Sequence, residues 1–129
     1  MALRILLILV LGAHGIGHVL FLVPLLGAAD WGQSTHSWLL TGETAARVVG
    51  AVVWIVSIIA FVAAAFGLWN QQSWWRTAAL IGAVVSTVGL ILFWASPATS
   101  SVWSALVVNI LTLGALLLVQ WPSVDAVGA

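Results

Sequence analysis

Four apolar runs, each about 20 residues long, take up most of this 129-residue chain, and only short polar stretches separate them. A run of that length matches the thickness of a bilayer when wound as an α-helix. The charge inventory agrees. Arg4, Arg47 and Arg76 are the only basic side chains apart from histidine, and Asp30, Glu43 and Asp125 are the only acidic ones. With 64% hydrophobic and 5% charged residues, and a mean hydropathy of +1.24, the chain cannot cover a water-facing surface, for which about a quarter of residues are ordinarily charged. Lipid is the solvent that fits. The predicted fold class is all-α, an antiparallel transmembrane four-helix bundle in one domain over residues 1–129, with spans at about 3–26, 44–69, 74–94 and 102–121.

The same inventory excludes some functions. A formal net charge of zero leaves no basic patch for nucleic acid. The absence of cysteine removes disulfides, thiolate metal sites and thiol redox chemistry. The first apolar run has an early arginine and ends in Gly27-Ala28-Ala29, features shared with signal peptides. It is longer than a signal-peptide core and carries two histidines, so it is expected to stay as the first span.

Local signals place the connections. The longest, Gly27 to Gly42, is polar with aromatic anchors and is expected to include a short interfacial helix. Thr41 is the expected N-cap of span two, and Glu43 suits its positive helix end. Asn70 to Ser73 make a turn. Ser96 or Ser100 should cap span four, with Pro97 starting the helix and Pro122 ending it. Ser123 to Ala129 read as a frayed tail.

With the N-terminus in the cytoplasm, Arg4 and Arg76 fall inside, as the positive-inside rule prefers. Trp69, Trp74, Trp75 and Trp121 then collect at one interface, and Trp31, Trp38, Trp94 and Trp103 at the other; only Trp54 lies deep in a span. Small residues form rows at four-residue spacing, Ala46 with Gly50 and Ala78-Gly82-Ser86. Gly12, Ala13, Gly15 and Gly17 crowd span one. Such rows let helix backbones approach closely in lipid.

Polar groups inside spans are costly and face the bundle interior. His14 and His18 are four residues apart, on one face of span one. Ser86 of span three and Asn109 of span four fall at similar depth, with Arg47, Glu43 and His36 toward the outer mouth. The expected site is therefore an outward-facing pocket lined by His14, His18, Arg47, Ser86 and Asn109, taking a small anionic or quinone-like ligand. Arg47 could instead snorkel to the interface, paired with Glu43 four residues earlier. His14, His18 and His36 are the candidate metal ligands. Two histidines at this spacing supply only half of a tetrahedral site, and spans two to four hold no histidine to complete a bis-histidine haem, so no cofactor is expected. Two other readings compete: an accessory or structural subunit with a homo-oligomeric or membrane-complex partner, and a metal-dependent membrane enzyme.

Several motifs resemble a widespread, uncharacterised group of small bacterial four-span membrane proteins. These are His14-Gly15-Ile16-Gly17-His18 followed by Val19-Leu20-Phe21; Arg47 ahead of Gly50 and Trp54; Trp74-Trp75; Leu92-Phe93-Trp94; and Asn109. The resemblance implies a four-helix fold in the bacterial cytoplasmic membrane and supplies no reaction. The group often carries an acidic residue after the tryptophan that ends span three, whereas this chain has Ala95-Ser96-Pro97. A more distant similarity to DoxX-like membrane proteins is one of architecture alone.

Overall fold

A computed structural model describes residues 1–129. The chain is all-helical: α1 (Ala2–Gly17), α2 (Val19–Leu25), α3 (Glu43–Trp69), α4 (Trp75–Leu92), α5 (Ser100–Leu113), a π-helical continuation of α5 (Gly114–Val119), and the short α6 (Val124–Val127). Four helical stretches are long and apolar enough to cross a membrane: Ala2–Leu25, Glu43–Trp69, Trp75–Leu92 and Ser100–Val119. The first is broken at His18. There the backbone amide bonds to Gly15 O at 3.2 Å rather than to the carbonyl four residues back. Pro24, inside α2, has no amide hydrogen to donate to the helix.

α3 is the centre of the fold and packs against α1, α2 and α4, while α5 packs on α4. Phe61 of α3 is fully buried. It sits where glycine leaves room on both neighbours. A Cβ at Gly15 would lie 2.8 Å from Phe61 Cβ, and one at Gly82 would lie 2.9 Å from its ring. The small-residue rows thus serve close helix approach at these positions, whereas Gly17 has no atom near enough to explain it by packing.

Several local expectations are corrected. The segment from Gly27 to Gly42 contains no helix. Its side chains bond to nearby backbone instead: Gly32 N–H donates to Asp30 Oδ1, and the amides of Leu39 and Leu40 donate to Ser37 Oγ. Such bonds compete with helical ones. The loop is tied down by Trp38 Nε1–H donating to Ile91 O at 2.7 Å and by Thr99 Oγ1 donating to Gln33 Oε1 at 2.9 Å. The N-cap of α3 is Gly42, not Thr41, and that of α5 is Thr99, not Ser96 or Ser100; neither makes a side-chain cap bond. Pro97 lies outside the helix, and α5 with its continuation ends at Gln120, in a left-handed conformation, ahead of Pro122.

The tail is not frayed. Val127 and Ala129 are buried in a core shared with Leu11, Phe61, Leu68 and Trp75. Arg76 Nη2 donates to Pro122 O at 2.7 Å, which fastens the tail to α4. Trp75 is likewise not an interfacial anchor. It is buried beneath the tail with its Nε1–H unpartnered, while the other tryptophans of both belts are exposed. Trp74, the N-cap of α4, stays exposed, whereas Trp75, its first residue, turns inward to pack against Gly67 of α3.

Candidate functional site

The break at His18 decides the local chemistry. Because the His18 amide turns to Gly15 O, the His14 carbonyl loses its usual partner four residues on and accepts His18 Nδ1–H at 2.8 Å instead. Three further contacts join α1, α4 and α5. His18 Nε2 lies 2.6 Å from Ser86 Oγ. Asn109 Nδ2–H donates to Ser86 Oγ at 2.8 Å. His14 Nε2 lies 2.9 Å from Asn109 Oδ1. His18, Ser86 and Asn109 are fully buried, and His14 is partly so.

With His18 neutral, counting donors fixes the direction of every bond. A carbonyl only accepts, so His18 Nδ1 carries a proton. A neutral His18 then has a bare Nε2, which accepts the Ser86 hydroxyl proton. Ser86 Oγ, its own proton spent, can only accept from Asn109. Asn109 therefore turns its carbonyl to His14, and His14 Nε2–H donates to it. The result is a closed ring: His14 side chain to Asn109, to Ser86, to His18, and back to the His14 carbonyl. A charged His18 would donate Nε2–H to Ser86 and reverse the ring, with the Asn109 amide turned, but an ionised group in this apolar interior is costly, which favours the neutral form.

Aromatic side chains wall the ring. The His14 ring meets Phe61 edge-on, with centroids 4.6 Å apart, and His18 stacks on Phe61 at 5.7 Å. Trp54 stacks on Phe21 at 4.9 Å and lies 5.9 Å from His18. Trp54 is thus a packing residue and a wall of this region. On the other side a cleft of about 320 Å³ opens between α1 and α5, reaching both histidines. Val10, Ala13, Gly17, Leu20, Phe21, Ser101, Ser104, Ala105 and Val108 complete its lining. Sequence reasoning missed most of these. The pattern Val10, Ala13, Gly17, Leu20, Phe21 follows the histidine face at helical spacing and was the signal available.

Arg47 is not part of this cluster, a correction to the single five-residue site. Its guanidinium donates to Glu43 Oε1 at 3.1 Å, and the two side chains are 53% and 83% exposed. Arg47, Glu43 and His36 line a separate cavity of about 480 Å³ at the mouth, with Pro24 and Leu25. Phe21 borders the cleft and Leu25, one turn on, borders the mouth cavity. His36 is therefore not beside His14 and His18, and no group of three or more His, Asp or Glu side chains is placed to hold a metal ion. No family model, curated protein or solved structure matches the chain.

The ring predicts non-additive mutations. Ser86→Ala and Asn109→Leu should each destabilise the protein by about 1–2 kcal/mol in reversible detergent unfolding. The double variant should cost at least about 0.5 kcal/mol less than the sum, because both break the same network. Strict additivity would show that the two residues act separately.

Proposed function

We propose that the chain is a multi-pass protein of the bacterial cytoplasmic membrane, an antiparallel bundle of four spanning helices that binds a small quinone-like ligand in the cleft beside His14. The contact register supports the antiparallel arrangement: α1 and α2 meet α3 through Gly15 with Phe61 and Leu25 with Gly50, and α4 meets it through Trp75 with Gly67 and Gly89 with Val53. Large apolar side chains on the outside, such as Leu9, Ile59 and Leu111 at 63%, 61% and 65% exposure, support a lipid surround. The four-span group that the motifs resemble supplies the bacterial assignment.

Both termini are assigned to the cytoplasm. Arg76 and the tail lie together, and Arg47 lies toward the other end of α3 beside its partner Glu43. The chain has no cysteine, so single cysteines report topology cleanly. In intact cells an impermeant maleimide should label Ser34→Cys and leave Gln72→Cys unlabelled until lysis. The reverse pattern would reject the orientation.

The observation that carries the ligand reading is an open, largely apolar cleft ending on a buried polar ring. An anionic ligand draws less support, because the cleft holds no cation and Arg47 stands in the other cavity. One feature favours the competing reading of an accessory subunit: His14, His18, Ser86 and Asn109 hydrogen-bond to one another across the helices, as packing alone would produce. Binding decides between them. Tetramethylbenzoquinone or its hydroquinone, added to the protein in phosphatidylcholine nanodiscs, should bind saturably. Ala13→Phe, which fills the cleft, should weaken binding at least about tenfold, and Arg47→Ala should leave it unchanged. Failure of both forms to bind above empty nanodiscs would reject the ligand reading and favour the subunit.

A further inference from the structure

The direction of the hydrogen-bond ring determines what the cleft can accept. His14 spends its Nε2–H on Asn109 Oδ1. In a neutral imidazole the other nitrogen, Nδ1, then holds a lone pair and no proton. His14 Nδ1 has no partner within the protein, yet Trp75 Nε1 is the only buried side-chain nitrogen or oxygen without one. His14 Nδ1 is therefore accessible, and the cleft is the cavity that His14 lines. The cleft thus ends on a fixed acceptor.

His14 cannot easily reverse this role. Moving its proton to Nδ1 would set bare Nε2 against Asn109 Oδ1 at 2.9 Å. Turning the Asn109 amide to relieve that contact would set its carbonyl against Ser86 Oγ, whose proton is held by His18. The sequence of reversals stops at the His14 carbonyl, which can never donate. Other polar groups in the cleft do not offset the preference. Ser104 gives its hydroxyl proton to Ser101 O, and the Ser101 hydroxyl can either donate or accept. The remaining walls, including Leu20, Phe21 and Val108, are apolar. A dry cavity of roughly 150 Å³ admits benzene, so about 320 Å³ has room for a substituted ring.

We infer that the ligand of the His14 cleft is a hydroxyl donor, a phenol or hydroquinone rather than the corresponding quinone, an inference that rests on the cleft being the ligand site. The ligand O–H donates to His14 Nδ1, and the ring lies against Leu20 and Phe21. A quinone carbonyl in the same place would oppose two lone pairs.

The test compares three ligands built on one tetramethylated ring, the first two nearly equal in shape, on the full chain in phosphatidylcholine nanodiscs without oxygen: tetramethylhydroquinone, tetramethylbenzoquinone and 1,4-dimethoxytetramethylbenzene. The hydroquinone should bind about tenfold or more tightly than either of the others, the scale of one buried hydrogen bond made or lost. Equal or tighter binding of the quinone or the diether would overturn the donor requirement while leaving the cleft as a ligand site. Binding by none of the three would overturn the cleft reading and this inference together.

Discussion

A backbone carbonyl can accept a hydrogen bond but never give one, and the His14 carbonyl imposes that asymmetry on the whole polar interior. It is available because the helix breaks at His18, where the amide bonds to Gly15 O. From there, with His18 neutral, each partner has one remaining option: His18 accepts from Ser86, Ser86 from Asn109, and Asn109 from His14. Three helices are joined by a chain of bonds that closes on its starting residue. In an apolar surround, unpaired groups of this kind would each cost stability, so the ring holds the bundle as well as shaping its site.

Packing makes the ring feasible. Phe61 fits between Gly15 and Gly82, so α1 and α4 can both approach α3 at the depth of the histidines. The face of α1 that carries Ala13, His14 and Gly17 has smaller neighbours and remains open toward α5. One side of His14 is thus committed to structure and the other borders the cleft. The same glycine-rich segment provides both: Gly15 lets the helices close, and Gly17, with nothing packed on it, keeps the cleft open.

Much of this was legible in the sequence. Hydropathy locates the four stretches because a helix able to cross a bilayer must be long and apolar. The ends of the four stretches differ by no more than two residues from 3–26, 44–69, 74–94 and 102–121. Depth counting also brings His14, His18, Ser86 and Asn109 to one level. It does not give the side of a helix that faces a cavity, which is why Arg47 was grouped with residues it does not meet. The broken turn at His18 was hidden because no residue there forbids a helix. The tail's docking was hidden because Val124–Val127 is too short to register as a hydrophobic pattern, and its anchor, Arg76, bonds to backbone carbonyls that any sequence would supply. Trp75 was misassigned by composition, since tryptophan near a span end ordinarily marks the interface.

The most direct test of this account is the protonation of the four imidazole nitrogens of His14 and His18, read from nitrogen-15 chemical shifts in histidine-labelled protein in lipid. The account predicts neutral rings of opposite tautomer, with the proton on Nδ1 of His18 and on Nε2 of His14. Matching tautomers, or a doubly protonated His18, would contradict the ring and the direction assigned to it.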